Sequence, residues 1–303
     1  MEPIVITGLG AISPLGGDVA TNWQALLAGR SGIDRIEQAW AEHSPVQIAG
    51  QVRDDFSVWI DRVEQRRLDR VSQLAVIAAV QAWTDAGFPL QHTDISANPD
   101  DESATANDRI VVSIGTGIGG IGTILQQNQV LAERGPARMS PFTITGLMTN
   151  APAAHVGLRV GARGSVHAPV SACASGAEAI ALGADQLRLG RADVAVVGGA
   201  EASVTAFGIG AFASMQALSR RNADPVGASR PWDRGRDGFV MSEGAAVLIL
   251  ETLSSAQARG ARIHGTLAGY GISADGYDMV HPDPHGAGQQ LAMRRALADA
   301  QLQ

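Results

Sequence analysis

The amino-acid sequence predicts an α/β protein in which a mainly parallel sheet is covered by helices on both faces. Short β-rich runs alternate with longer helical patterns, an order typical of parallel strands joined by helices. A chain of 303 residues buries about three-quarters of the surface it exposes when unfolded, enough for one large domain or two ordinary ones. Hydrophobic residues make up 45% and charged residues 17%, so the chain is not intrinsically disordered.

Net charge, cysteine content and hydropathy exclude other classes. The formal net charge of −7 argues against a protein that binds nucleic acid by bulk electrostatics. One cysteine cannot form a disulfide framework. No apolar run approaches the ~18 residues of a membrane helix, and the first residues carry no signal-like pattern. We therefore expect a cytoplasmic protein without a membrane span.

The first third of the chain begins with a buried strand, predicted at residues 4–10, where a β-rich run stops in glycines. A helix is predicted at 21–28, with Gly29 as its C-cap. A second helix is predicted at 68–86, where apolar residues recur every 3.6 positions. The polar, acidic segment 91–108 predicts a solvated surface loop.

The remainder of the chain predicts four strands and a long helix. The strands are expected at 109–114, 166–170, 194–197 and 245–250, and the helix at 176–189. Two glycine pairs indicate an internal repeat: Gly8-x-Gly10-Ala-Ile-Ser13 resembles Gly269-x-Gly271-Ile-Ser273, and each pair follows a β-like run. In this interpretation the second repeat has barely begun at residue 303.

The strongest local signal for chemistry is the run Pro169-Val-Ser-Ala-Cys173-Ala-Ser-Gly176, between a predicted strand and an alanine-rich helix. A thiol at this junction faces unpaired N–H groups and the positive end of the helix dipole, which favour the thiolate. The small neighbours allow a sharp turn and the approach of a bulky thioester, as in the nucleophile elbow of serine hydrolases. The alternative is an inert buried cysteine, which the strand–elbow–helix setting disfavours.

The run Gly115-Thr-Gly117-Ile-Gly-Gly120 fits the dinucleotide-binding pattern after a strand. A dinucleotide-binding fold needs an acidic residue about 20 positions later, at the end of the next strand. In this sequence Glu133 falls within or just after a predicted helix instead. We therefore interpret these glycines as positions that admit a ligand or a neighbouring backbone, and we expect no nicotinamide or flavin cofactor.

The seven histidines carry no metal-binding pattern. His281 and His285 have the i, i+4 spacing, but Pro282 and Pro284 prevent a helix there. We predict no metal site. A Cys–His pair remains conceivable, although no local motif marks one histidine as a base.

With these features in place, the sequence resembles the β-ketoacyl-acyl-carrier-protein synthases of the elongating KAS I/II type, collinearly from Val5 onward. Four separate segments carry the resemblance: Val-Ser-Ala-Cys173-Ala-Ser-Gly, Asp193-Val-Ala-Val-Val-Gly-Gly-Ala-Glu201, Ser229-Arg-Pro-Trp-Asp-Arg-Gly-Arg-Asp-Gly-Phe239 and Ala258-Arg-Gly-Ala-Arg262. The resemblance implies a thiolase-like fold of two related α/β halves and a homodimer. The half at residues 1–262 would carry the nucleophile, and residues 263–303 would begin the second half.

The resemblance also implies roles for individual residues. Cys173 would take an acyl chain from acyl-carrier protein as a thioester, with its own N–H as one oxyanion donor. The acyl pocket would be lined or gated by Ile118, Thr143, Gly208 and Phe212, with Thr143 reaching the pocket of the partner subunit. Ordinary core packing is the alternative for these positions.

An acidic carrier protein requires a basic docking surface. By the resemblance, Arg66 and Arg67 match basic positions of the carrier-docking helix and Arg138 matches another beside the dimer interface. The alternative is a solvated charged face. Val63 stands where the family often has lysine.

Condensation in this family uses two histidines, in a His-Gly-Thr-x-Thr run and a Gly-His-x-x-Gly-Ala run, and a Gly-Phe-Gly-Gly turn; none of these occurs here. We therefore expect a C-terminally truncated or partial member in which most of the second half is missing. The implied reaction is decarboxylative Claisen condensation of malonyl-carrier protein with a Cys-bound acyl chain, which this chain alone is not expected to complete.

Two alternatives remain open. The chain is also similar to the non-catalytic chain-length factors of polyketide systems, but those typically lose the cysteine, so Cys173 favours the enzyme. A thiolase-like relative that acts on coenzyme A esters is a more distant third alternative. The Arg-Pro-Trp-Asp segment and the basic helix with Arg66 and Arg67 argue against it.

Overall fold

The computed structural model describes residues 2–90 and 107–302. The surface loop predicted at 91–108 lies outside the described residues except for its last two positions.

The fold is built on a six-stranded sheet with the order β5-β4-β6-β7-β1-β8, and β2 and β3 form a separate antiparallel pair. The strands are β1 (Ile4–Ile12), β2 (Ile33–Arg35), β3 (Ile48–Gly50), β4 (Ile110–Gly115), β5 (Ser165–His167), β6 (Val194–Glu201), β7 (Gly244–Thr252) and β8 (Gly265–Leu267).

The helices that the structure describes fall mainly between these strands. They are α1 (Val19–Leu27), α2 (Arg62–Arg67), α3 (Arg70–Asp85), α4 (Ile121–Arg134), α5 (Thr143–Leu147), α6 (Ala151–Val160), α7 (Ser175–Arg188), α8 (Ala206–Ser214), α9 (Leu253–Ala258) and α10 (Ala287–Asp299). The α/β class is therefore confirmed.

The strand directions correct the prediction of a mainly parallel sheet. The pairs β4–β5 and β4–β6 are parallel, whereas β6–β7, β7–β1 and β1–β8 are antiparallel. The reason lies in β7, which enters between β6 and β1 in the opposite direction after the long segment 215–243. A central strand is covered on both faces and has the same apolar composition in either direction, so its sequence does not reveal its polarity.

Helices cover both faces of the sheet, as expected. On one face α3 is buried along most of its length, and Leu74 and Ile77 pack in the same core cluster as Val247 and Ile249 of β7. On the other face α7 packs against β4 and β6, in a cluster that includes Leu187. The side chains of α3 are buried nearly all round, which makes it the central helix of the domain.

The two glycine pairs occupy equivalent places, which supports the internal repeat. A side chain at Gly10 would collide with the carbonyl of Ala78 on α3, and a side chain at Gly271 would collide with the carbonyl of Ala292 on α10. Gly8 and Gly269 make the corresponding approach one helical turn later on the same two helices. In each case the absence of a Cβ lets the segment lie directly on the helix backbone.

Helix α1 has an exposed apolar face. Trp23, Leu26 and Leu27 are 57%, 57% and 64% exposed, and Ala25 is the buried residue of the helix. An exposed set of large apolar side chains is typical of a surface that another element or molecule covers.

The last part of the chain joins the same sheet. β8 pairs with β1, and Arg188 of α7 forms an ion pair with Asp299 at the end of α10, 2.9 Å apart. The division of the chain at residue 262 falls between α9 and β8, and it stays a prediction. Within the described parts of the chain, no helix is both long and apolar enough to cross a bilayer.

Candidate active site

Cys173 lies in a short 3₁₀ turn, Ala172–Ala174, directly before α7 and after β5. Ala172 has a φ of +50°, a left-handed conformation that costs a non-glycine residue about 1 kcal/mol or more. Ser175 holds the turn: its Oγ accepts the Ser171 N–H at 2.9 Å and donates to the Ala172 carbonyl at 2.6 Å. The predicted strand–elbow–helix arrangement is therefore present.

The Cys173 side chain is exposed rather than buried among its neighbours. Among the described residues, no backbone or side-chain acceptor takes the N–H of Cys173. This N–H is an unpaired donor of the 3₁₀ turn that leads into α7. The thiol and a free amide therefore lie together at a helix N-terminus, as nucleophilic acyl transfer requires.

The glycine-rich loop between β4 and α4 binds a carboxylate from the chain itself. Oε2 of Glu201, the last residue of β6, accepts the N–H of Gly117 at 2.7 Å and that of Ile118 at 3.2 Å. Oε1 accepts the hydroxyl of Ser203 at 3.0 Å. The loop thus presents its N–H groups to an anion, and Glu201 supplies that anion.

The other glycines of this loop allow close backbone approaches. A side chain at Gly115 would collide with the Ser175 carbonyl, and one at Gly120 would collide with the Gly146 carbonyl on α5. The interpretation that these glycines admit a neighbouring backbone is confirmed. The stretch after the loop is α4, a helix as predicted.

Three of the residues expected at the acyl pocket lie on two segments: the loop beside the elbow, and α8, which follows Glu201 in the chain. Ile118 is in the glycine-rich loop, one residue after Gly117, and is 37% exposed. Gly208 is buried on α8, where its N–H is capped by Thr205, and Phe212 packs edge-on against Phe239 at 5.5 Å. Glu201 and Ser203 connect the start of this segment to the loop that carries Ile118.

Thr143 lies at the start of α5, the helix that packs against the glycine-rich loop through Gly146. Its side chain is buried and donates to the Ser140 carbonyl at 2.6 Å. Arg67, one of the expected docking residues, lies over the ring of Phe142 at 5.3 Å from its centroid. The structure therefore brings Thr143 close to the expected docking surface.

The three arginines that the resemblance assigns to docking are exposed. Arg66 and Arg67 lie at the C-terminal end of α2, and Arg138 lies in the turn after α4. No described carboxylate forms an ion pair with any of them, whereas Arg159 pairs with Glu64 of α2 at 2.6 Å. Their charges are therefore free to meet an external anion.

No histidine in residues 2–90 and 107–302 hydrogen-bonds to Cys173. His167 bonds to Ser165 at 3.0 Å, and burial lowers the pKa of His155 on α6. The described residues also contain no cluster of three or more metal-ligating side chains.

An exposed thiol on a strained elbow, with a free amide beside it and a packed sheet behind, defines a class of enzyme. It is typical of enzymes that carry an acyl group on a nucleophile at a strand–helix junction.

Comparison with protein families identifies the chain more closely. The model of the β-ketoacyl synthase N-terminal domain matches residues 1–256, and that of the β-ketoacyl synthase C-terminal domain matches residues 264–303. The chain therefore belongs to the β-ketoacyl synthase family, which confirms the resemblance and the thiolase-like fold. The enzymes of this family are acyltransferases.

Curated relatives agree with this assignment. The chain is 41% identical to 3-oxoacyl-[acyl-carrier-protein] synthase 2 of Coxiella burnetii over 98% of this chain and 69% of the relative. It is 42% identical to the protein of the same name from Staphylococcus aureus strain COL, over 99% of this chain and 70% of the relative.

Solved structures show the same fold. A β-ketoacyl synthase from Burkholderia phymatum is 32% identical with a TM-score of 0.84, and it is matched over 100% of this chain and 71% of its own. The ishigamide ketosynthase/chain length factor is 31% identical with a TM-score of 0.85, over 100% and 70%.

Sequence reasoning did not assign a role to Glu201, although the residue lies in one of the segments that carry the resemblance. A usable signal existed: β4 and β6 are neighbouring parallel strands, and Gly115 pairs with Gly199. Since parallel strands end at the same edge, a carboxylate two residues beyond Gly199 falls beside the loop that follows β4.

Proposed function

We propose that this chain carries the acyl-accepting half of a 3-oxoacyl-[acyl-carrier-protein] synthase of fatty-acid elongation, with Cys173 as the nucleophile. The observation that carries the proposal is the exposed Cys173 on its strained elbow, with an unpaired N–H at the start of α7. The names of the Coxiella burnetii and Staphylococcus aureus relatives support the choice of reaction.

In the proposed first step, the Cys173 thiolate attacks the carbonyl carbon of an acyl-carrier thioester. The carbonyl oxygen becomes an oxyanion, to which the Cys173 N–H donates. Collapse of the intermediate breaks the bond to the carrier sulfur, and the carrier leaves as a thiolate that takes up a proton. The acyl chain remains on Cys173 as a new thioester.

In the proposed second step of the family's reaction, malonyl-carrier protein loses CO₂ and the resulting enolate attacks the Cys-bound thioester. The resemblance assigns this step to two histidine motifs that residues 1–303 do not contain. We therefore expect residues 1–303 to complete the first step and not the second.

We assign Ile118, Gly208, Phe212 and Thr143 to the acyl pocket. Ile118 donates its N–H to Glu201, and Gly208 and Phe212 lie on α8, which follows Ser203, a second hydrogen-bond partner of Glu201. Thr143 is assigned to the pocket of a partner subunit in a homodimer, because the resemblance gives that role to this position on α5.

We assign Arg66, Arg67 and Arg138 to the docking of an acidic acyl-carrier protein, in its acyl and malonyl forms. These arginines are exposed and have no described carboxylate partner, which suits an external acidic surface. A related type II polyketide synthase ketosynthase, 28% identical, has been solved in complex with its acyl-carrier protein. A catalytic thiol stays reduced in the cytoplasm, where we place the protein.

One observation favours a second candidate: a similar structure includes a chain length factor. In that case the chain would be a non-catalytic partner subunit. The two functions differ in one measurement, which is whether residues 1–303 take an acyl group from radiolabelled acyl-carrier protein when malonyl-carrier protein is also present. We expect protein-bound label that Cys173→Ser abolishes and no 3-oxoacyl product. Absence of protein-bound label would favour the non-catalytic subunit, and a 3-oxoacyl product would contradict the expected loss of the second step.

A further inference from the structure

The glycine-rich loop at Gly117 and Ile118 is held from one side by Glu201. The carboxylate accepts both backbone N–H groups through one oxygen and the hydroxyl of Ser203 through the other. Thr116 also points its hydroxyl at Oε1, at 3.4 Å. A single side chain therefore fixes the part of the loop that carries Ile118.

The same loop touches the nucleophile elbow on its other side. A Cβ placed on Gly117 would lie 2.9 Å from Oε2 of Glu201 and 3.5 Å from the carbonyl oxygen of Ala172. Gly117 is thus a spacer without a side chain between the carboxylate and the strained residue that precedes Cys173. A displacement of the Glu201 carboxylate would therefore also displace the backbone of the elbow.

We propose that Glu201 is a positioning residue for Cys173: its carboxylate occupies the anion site of the loop and holds Gly117 and Ile118 against the elbow. This role rests on the proposed function, because it concerns the accuracy with which Cys173 receives an acyl chain. It differs from a general packing role because the two loop N–H groups need an oxygen acceptor at this place, which an apolar side chain of similar size does not supply.

The test uses the single cysteine of the chain, so every thiol reaction reports on Cys173. Two probes are compared on residues 1–303: cerulenin, an acyl-like epoxide that must fill the pocket, and iodoacetamide, which needs only an exposed thiol. Glu201→Ala should lower the ratio of the cerulenin rate to the iodoacetamide rate, and the rate of acyl transfer from the carrier, each by about tenfold. Added acetate should restore both, because its oxygens fit the site that the Glu201 side chain has vacated.

Two further variants keep the test independent of folding. Glu201→Gln retains an oxygen for the two N–H groups, and its amide donates to the hydroxyls of Thr116 and Ser203, so both rates should stay within threefold of the original chain. Gly117→Ala should reproduce the loss seen in Glu201→Ala, since its Cβ pushes the carboxylate away from the elbow. Gly265→Ala, whose Cβ meets no atom within 4 Å, is the matched control.

The proposal is overturned if Glu201→Gln is as impaired as Glu201→Ala, or if the probe ratio stays within twofold of the original chain in Gly117→Ala. Should Glu201→Ala not fold, the proposal is overturned if Glu201→Gln falls more than threefold below the original chain, or if the probe ratio of Gly117→Ala stays within twofold of it. A chain that accepts no acyl group from the carrier, while the probe ratio still depends on Glu201, would reject the proposed function and leave the positioning role standing.

Discussion

Tyr270 donates its hydroxyl hydrogen bond to the carboxylate of Asp185, on the same helix whose N-terminus carries Cys173. Arg188, one turn further along α7, lies 4.7 Å above the Tyr270 ring and forms an ion pair with Asp299. The segment after β8 is therefore joined to the helix of the elbow through polar contacts.

Alkaline pH should weaken this junction. Burial, and then the hydrogen bond to Asp185, raises the pKa of Tyr270 from 10.0 to about 12. A raised pKa means that the stabilisation is complete below pH 10 and is lost as the pH rises to about 12. The sequence has no lysine and two tyrosines, so few other side chains titrate in this range.

Urea unfolding at pH 8, 10 and 11.5 measures this effect. Tyr270→Phe should cost about 1 kcal/mol at pH 8 and should show a smaller loss of stability at pH 11.5 than the original chain. Tyr277→Phe is the control, because Tyr277 is 59% exposed and should change neither value. An unchanged alkaline loss in Tyr270→Phe would contradict the assignment.

Because the carboxylate of Glu251 is buried, we predict that replacing Arg259 strongly lowers the free energy of unfolding. Glu251 is fully buried on β7, and Nε of Arg259 lies 2.8 Å from its Oε2. Arg259→Met would leave this carboxylate unpaired and should destabilise the fold by about 3–5 kcal/mol in denaturant unfolding.

The double variant Arg259→Met/Glu251→Gln provides the comparison for that prediction. Removing both charges should restore part of the lost stability, because no uncompensated charge remains. A cost below about 1 kcal/mol for the single Arg259→Met variant would show that the pair contributes little.

If the exposed arginines dock the carrier protein, replacing them should slow acyl transfer from the carrier but not from coenzyme A. Arg66→Glu and Arg138→Glu should each slow acyl transfer from acyl-carrier protein by about tenfold at low salt, since steering by charge governs encounter with an acidic partner. Transfer from the matching acyl-coenzyme A should change less than twofold. Arg294→Glu, a charge reversal at an exposed position on α10, is the control. Equal slowing with both donors would place these arginines outside a docking role.

The repeat of glycine pairs predicts that an added methyl group destabilises the fold to the same extent at two distant positions. Gly10→Ala and Gly271→Ala would each press a methyl group into the backbone of an alanine-rich helix, and each should cost about 1–3 kcal/mol in thermal or denaturant unfolding. Gly265→Ala should be nearly neutral because its Cβ meets open space. A neutral Gly271→Ala would argue against the repeat.

Long, strongly patterned elements could be predicted from the sequence. α3 has apolar residues at helical spacing, and β4 and β6 consist mainly of small and apolar residues, because these three elements are buried over most of their length. The elbow was also predictable, since small residues surround Cys173 between a strand and a helix.

Features that depend on distant parts of the chain could not be predicted. The antiparallel course of β7 is decided by the connection through 215–243, and the exposure of Trp23 depends on what covers α1. The role of Glu201 arises only when two strands distant in sequence end side by side. Local patterns carry no information about such neighbours.

The central claim is that Cys173 forms a thioester with an acyl chain delivered by a carrier protein. Intact-protein mass spectrometry of residues 1–303 after mixing with acyl-carrier thioester should show one added acyl mass, located on Cys173 by peptide mapping and released by hydroxylamine. Cys173→Ala should show no such addition. An unmodified mass at saturating carrier, or an equal gain in the Cys173→Ala variant, would contradict the account.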